Sequence, residues 1–414
     1  MAAIFVPCAQ GVEELLVAEL TRIAGTTADA GRGGAWVEGD LALAMRINLH
    51  CRLGQRVLWP LADGPYRDEQ ALYELARRVS WADWITPEQT LRVDVSAQRS
   101  PLRSLNFAAL RIKDAVCDTL REATGARPSV DTRHPTLPLV LFLGPDHASL
   151  YADTSGEALF KRGWRDARGG SQGVKGEAPL KETLAAAMLA AAGWQGRAED
   201  GPLLDPCCGA GTIAIEAAQL ACGMAPGLQR SFAFERQLPF QPLRAAWQRL
   251  KAEARAAVHA PAVPVYAGDV SFRMTDFATR NAERAGVARA IEFKTADALQ
   301  RLPPAAQGTL IMNPPYGERI APKGQGQGPA PRSASRETFE DGTDPTAFFG
   351  ALAAHWKRHY GGWTAWCLSP EMKLPSLMRL KETRRVPMWN GAIECRLFRF
   401  DMVAGSNRDP GLSA

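Results

Sequence analysis

The run Gly201-Pro202-Leu203-Leu204-Asp205-Pro206-Cys207-Cys208-Gly209-Ala210-Gly211-Thr212-Ile213-Ala214-Ile215-Glu216 constrains the fold most, because it joins an apolar strand to a helix through a two-glycine turn. Gly209 and Gly211 let backbone approach a ligand closely at the start of that helix. From Leu180 onward helices and short apolar strands alternate, which predicts an α/β domain with an open parallel sheet and crossover helices. The turn departs from the Gly-x-Gly-x-x-Gly dinucleotide fingerprint. Ala214 takes the place of the third glycine, and a carboxylate, Asp205, ends the strand. An acid there suits a ligand with a cationic amino group and no pyrophosphate, and S-adenosylmethionine is such a ligand. A dehydrogenase-type nucleotide site is the competing reading of the isolated turn.

Three further strands carry polar residues at their ends. Val263 to Asp269 places Asp269 where a ribose-binding acid belongs, after a long insertion from Ala221 to Pro261 that is rich in Arg and Trp. Capping of a helix from Ser271 to Ala285 is the rival role for Asp269. Ile291 to Asp297 presents Asp297 to an adenine amino group. Gly308 to Met312 then delivers Asn313-Pro314-Pro315-Tyr316. That tetrapeptide suits chemistry on a planar amino nitrogen, whose lone pair is delocalised and whose two N–H donors need acceptors. The Asn313 side-chain oxygen and the Pro314 carbonyl supply them, and Tyr316 offers a ring on which a flat base stacks. A proline-rich turn with an aromatic neighbour is the bland alternative. Cys207 and Cys208 invite a thiolate attack on a pyrimidine ring, but their place inside the glycine turn argues for packing or backbone contact with the cofactor.

The rest of the chain reads as additional modules. At 414 residues it exceeds one ordinary domain. The first 60 residues alternate strand (Ala3 to Val6), helix (Val12 to Leu20), strand (Gly34 to Gly39) and an Asp40-capped helix. Residues 61–155 add a helix from Glu69, a strand from Thr90, a long helix from Asn106 to Thr124 and two strands around Leu137 to Leu143 and Ala148 to Asp153. A basic, glycine-rich linker over 156–178 leads to the domain expected over 179–403, where Lys181 and Glu182 open a helix. Residues 321–335 form a Gly/Pro-rich run, read as a surface insertion or a gate, and 404–414 a disordered tail.

The eight cysteines lack Cys-x-x-Cys spacing and the six histidines form no ligand pattern, so reduced thiols, a cytoplasmic location and no metal are expected. No apolar run approaches the ~20 residues of a membrane span, and the N-terminus lacks a basic segment followed by a cleavable apolar stretch. The net charge of +5 is too small to identify a nucleic-acid partner by itself. Two clusters are more telling: Arg92, Arg99, Arg103, Arg111 and Lys113, and Lys161, Arg162, Arg165, Arg168 and Lys175. Each is either a phosphate-binding surface or a solvated face.

Together these residues resemble the class I S-adenosylmethionine-dependent methyltransferases. Within them the chain is similar to the bacterial family that methylates N2 of a guanine in 23S ribosomal RNA. The likeness extends through Arg111 to Val116, Gly125 to Thr132, Asp153 to Arg165, Ala178 to Ala185, the glycine turn and Asn313 to Arg319. It implies a ferredoxin-like segment over 1–60 and a THUMP domain over 61–155 that docks structured RNA, ahead of a Rossmann-like catalytic domain. It also implies that Asp205, Cys207, Gly209 and Gly211 line the methionine end of the cofactor, Asp269 the ribose and Asp297 the adenine. Asn313, Pro314, Pro315 and Tyr316 would form the catalytic loop, and Arg99, Arg103, Arg111, Lys113, Lys161, Arg162 and Arg165 would contact RNA. Well-known members carry a second methyltransferase domain, and this chain is expected to lack that activity. A transfer-RNA methyltransferase and a non-catalytic RNA-binding assembly factor are the alternatives.

Overall fold

The computed structural model describes residues 1–165, 180–314 and 345–403. Its contacts divide the chain into two compact units. Unit 1 comprises Met1–Arg162 and Ala225–Ala257; unit 2 comprises Gly163–Met224 and Val258–Ala414.

Unit 1 is built on one eight-stranded sheet. β1 (Ala2–Pro7) is followed by α1 (Glu13–Ala24), β2 (Ala28–Gly31), β3 (Gly34–Gly39), α2 (Leu41–His50) and β4 (Leu58–Pro65). α3 (Glu69–Arg77), β5 (Thr90–Ala97), α4 (Leu105–Thr124), β6 (Ser129–Val130), β7 (Leu137–Leu143) and β8 (His147–Asp153) complete it, in the order β2-β3-β1-β4-β8-β7-β5-β6. Local chemistry starts the helices where expected: Asp40 Oδ1 accepts from the Leu43 N–H at 2.8 Å, and Asp68 does the same for Ala71. The division read near residue 60 falls inside β4, which pairs with β1 through Phe5 opposite Leu58 and with β8 along its whole length.

β4 carries no strand signal of its own, because its sequence, Leu58-Trp59-Pro60-Leu61-Ala62-Asp63-Gly64-Pro65, has the look of a turn. Two features reconcile it with a sheet. Its register shifts between Pro60 and Ala62, and its pairing with β1 stops at Leu58, so the proline nitrogens face no ladder there.

Unit 2 starts with α5 (Glu182–Ala192), β9 (Leu203–Asp205) and α6 (Thr212–Ala221). The chain then supplies α7 (Arg244–Ala256) to unit 1 before returning as β10 (Val265–Asp269) and α8 (Phe272–Arg284). The excursion is anchored within unit 1 by main-chain groups. The Gly227 N–H donates to the Leu49 carbonyl at 3.0 Å, and a Cβ on Gly227 would lie 2.9 Å from Leu49 backbone. Arg230 donates to the carbonyls of Glu157, Ala158 and Lys161. The segment read as an insertion is thus part of the other unit's body.

The remaining elements are β11 (Ile291–Thr295), β12 (Gly308–Met312), α9 (Pro345–His359), β13 (Trp363–Ser369), α10 (Leu374–Met378), β14 (Arg384–Asn390) and β15 (Ile393–Asp401). The sheet runs β11-β10-β9-β12-β13-β15-β14; only the β13–β15 and β14–β15 pairs are antiparallel. Leu310, Met312, Trp356, Trp363, Phe398 and Phe400 pack into one buried cluster. This core fixes the strands whose carboxyl ends form one edge.

Candidate active site

β11, β10, β9 and β12 are neighbours and parallel, so Asp297, Asp269, Asp205 and Asn313 stand in a row at their carboxyl ends. That edge of an open parallel sheet is where ligands bind. The glycine turn lies above it. Gly209 has φ +50° and Gly211 φ +83°, and a Cβ on Gly211 would come 3.0 Å from Ala278 Cβ. The Gly209 N–H donates to Asp269 Oδ2 at 3.1 Å, and the Cys208 N–H donates to the Gly268 carbonyl at 2.7 Å. From behind, Asn281 Nδ2 donates to the Ala210 carbonyl at 2.8 Å, and Asn281 is itself held by Arg284.

Asp205 is 1% exposed, and neither of its oxygens has a hydrogen-bond partner among the described residues. Burial pushes its carboxyl up to about 8, and the charge of Asp269 adds to this. The Cys207 N–H and the Arg301 guanidinium oppose it, the former without reaching hydrogen-bonding geometry. A buried acid in this condition calls for a cationic or N–H-bearing ligand.

Asp269 is different: Oδ2 holds the turn and Oδ1 accepts from the Ser271 N–H at 3.0 Å, so one carboxylate organises both the glycine turn and the start of α8. Asp297 Oδ1 accepts from Leu299 N–H at 2.9 Å. Asn313 is half-buried, and its Oδ1 is buried without a partner among the described residues. Pro314 is buried beside it, whereas Pro315, Tyr316 and the 321–335 run lie outside the described residues. Burial and then Asp205 raise the Cys207 thiol well above its ordinary value. It packs against the apolar cluster as a neutral thiol, unsuited to nucleophilic attack.

Arg301 was not singled out in the sequence. Its Nη1 donates to the Ala267 carbonyl at 2.8 Å and would lie 2.2 Å from a Cβ at position 268, which explains Gly268. The Arg301 carbonyl in turn accepts from Tyr360 Oη at 2.8 Å. No local pattern announces such a residue, because its partners arrive from β10 and from the residue that follows α9.

The basic residues separate into two groups. Arg99 and Arg103 are exposed, and so is Lys161, paired with Glu157 at 2.8 Å. Arg111 lies over the Tyr73 ring at 4.5 Å and donates to Gln70, while Lys113 pairs with Asp114 at 2.7 Å. Two expectations are corrected. Arg162 is 2% exposed and donates to the carbonyls of Leu159 and Arg52, which leaves it no reach to a phosphate. Arg165 is engaged by Glu182, by Thr212 Oγ1 at 2.8 Å and by the Leu180 carbonyl, so it braces the start of α6. Arg168 and Lys175 lie outside the described residues.

In unit 2's own count the strand order is third-second-first-fourth-fifth-seventh-sixth, with the seventh antiparallel. With an acid closing the first strand and a glycine turn above it, this is the fold of a class I methyltransferase. The chain carries an RlmL ferredoxin-like domain matched over residues 3–58, a THUMP domain over 66–153 and an RMKL-like methyltransferase domain over 168–328. The ribosomal RNA large subunit methyltransferase K/L of Shewanella baltica strain OS195 is 35% identical over 413 residues, 99% of this chain and 54% of that protein. The chain therefore spans about half the length of the curated relatives it matches. Among solved structures, a predicted N6-adenine-specific DNA methylase from Listeria monocytogenes matches with a TM-score of 0.80, 25% identity and 96% of each chain covered. SMU.472, crystallised in complex with SAH, matches with a TM-score of 0.82 and 24% identity, covering 97% of this chain and 98% of its own. TrmN from Thermus thermophilus matches at 0.65 and 19% identity, over 97% and 100%. The last two likenesses concern the fold.

Proposed function

We propose that this chain transfers a methyl group from S-adenosylmethionine to the exocyclic N2 of a guanine in RNA, with 23S ribosomal RNA as substrate, in the cytoplasm. The observation that carries the reading is a pair of buried acceptors, the Asp205 carboxylate and Asn313 Oδ1, that have no partner among the described residues and stand on neighbouring strands of one sheet edge. The first suits the cationic methionine end of the cofactor; the second suits an amino N–H. The K/L relatives and the THUMP match support a ribosomal RNA substrate. The Asn-Pro start of the loop supports an amino nitrogen as acceptor.

When bound, S-adenosylmethionine supplies an electrophilic methyl group on a positively charged sulfur. Asp205 and the Gly209–Gly211 turn would hold its methionine end, Asp269 its ribose and Asp297 its adenine. Asn313 Oδ1 and the Pro314 carbonyl would accept the two N–H bonds of the guanine amine, which orients its lone pair and raises electron density on nitrogen. No strong base is required before attack, since the proton leaves after nitrogen has become cationic. Exposed Arg99, Arg103 and Lys161 would contact phosphates.

Asn313→Ala should reduce methyl transfer by at least about a hundredfold, the scale of losing one oriented polar contact at a reacting centre, with cofactor affinity nearly intact. Wild-type turnover in that variant would sink the assignment. Mapping modified guanines in ribosomal and transfer RNA from a deletion strain separates the 23S substrate from the transfer-RNA alternative.

A further inference from the structure

The excursion over 225–257 builds a feature that the methyltransferase chemistry leaves unused. In unit 1, α7 and the turn before it border an open recess of about 450 Å³ lined by Phe234, Glu235, Phe240, Arg244, Trp247 and Gln248, among others. Its aromatic wall is ordered: Phe234 meets the Trp247 ring edge-on at 4.9 Å and Phe240 at 5.2 Å. Trp247 is 3% exposed, and its indole N–H is buried without an acceptor among the described residues.

The same helix carries a basic face. Arg244, Gln248, Lys251 and Arg255 recur at helical spacing and share one side of α7. Arg244 and Arg255 are exposed and have no ion-pair partner among the described residues, whereas Lys251 sits over the Trp247 ring at 4.8 Å and pairs with Glu235 at 3.7 Å. The side chains of Arg244 and Gln248 belong to both the face and the recess lining. Unpaired arginines along a helix suit a polyanion, and an aromatic-walled recess beside them suits a flat ring. RNA combines the two.

We infer that α7 and its recess form a second RNA-binding surface, with Arg244 and Arg255 on phosphates and an unstacked base beside Trp247. The inference rests on the RNA reading given above and assigns that polymer a contact outside the THUMP segment. It can be read by fluorescence anisotropy, using a labelled single-stranded RNA of mixed sequence across a sodium chloride series. The whole chain is compared with Arg244→Gln/Arg255→Gln and with Trp247→Phe, and circular dichroism with thermal unfolding checks that each variant is folded. The double variant should bind at least about fivefold more weakly, with its salt slope reduced by about 0.7 for each phosphate contact removed. Trp247→Phe should weaken binding at an unchanged slope. Unchanged affinity and slope in the double variant, with wild type binding RNA, would overturn the surface and leave the methyltransferase reading intact. Unchanged affinity in Trp247→Phe would overturn the base recess. Failure of wild type to bind RNA would overturn both readings.

Discussion

Asp205 is a proton donor in waiting. Its carboxyl stands near 8 when folded, well above the 3.8 of an ordinary aspartate, so the native chain binds more protons than the unfolded chain between those limits. Its contribution to stability is therefore full below about pH 4 and is lost as pH rises through about 8. A cationic ligand reverses the preference by favouring the carboxylate. Binding of S-adenosylmethionine below about pH 8 should release close to one proton and tighten as pH rises toward that value. Calorimetry in buffers of different ionisation enthalpy measures the release; Asp205→Asn should abolish it and weaken binding. Another acid is wholly structural. Glu19, 9% exposed, accepts from the backbone N–H groups of Arg52 and Leu53 at 3.0 Å and from the Cys51 thiol. Glu19→Leu would strand two buried donors and should cost about 2–4 kcal/mol in denaturant unfolding. The sequence announced Asp205 because a strand-ending acid before a glycine turn is a local pattern. It said nothing of Glu19, whose hydrogen-bond donors lie more than thirty residues away.

Among the elements, α6 shows how a helix start becomes a ligand-facing surface. Its amino end is set by Gly211 in a left-handed conformation with Ala278 packed against it, and is braced by Arg165 through Thr212. Gly211→Ala adds the ~1–2 kcal/mol penalty of that conformation to a tight contact with α8. Weaker S-adenosylhomocysteine binding, with a melting temperature lowered by a few degrees, is the expected result; equilibrium dialysis and thermal unfolding measure both. Amphipathic helices and alternating strands, such as α1, β3, α4 and β7, were readable since their signals are periodic and short-range. β2 and β4 were not, because small residues and prolines say turn locally and only their sheet neighbours say strand. Arg162 and Arg165 mislead for the same reason: a run of cations looks alike on a surface and inside a fold, and only packing distinguishes them.

At the scale of the molecule, the two units are joined by three passages of the chain, at 162–163, 224–225 and 257–258. Residues 225–257 are neighbours of unit 2 in sequence and members of unit 1 by contact. Hydrogen exchange should register this. Adding S-adenosylhomocysteine should slow exchange in the glycine turn and near Asp269 and Asp297, while 225–257 keeps the profile of residues 1–162. Protection of 225–257 in step with the glycine turn would contradict the division.

That looping path sets a schedule for the ribosome making this protein. A nascent chain that has emerged only to Arg162 still has the carbonyls of Glu157, Ala158 and Lys161 waiting for Arg230, and α2 waiting for the strap that follows Met224. The first unit to be translated is therefore not the first to be finished. Its closure must follow synthesis of the β9–α6 start of the next one, and folding of the two halves is interleaved in time.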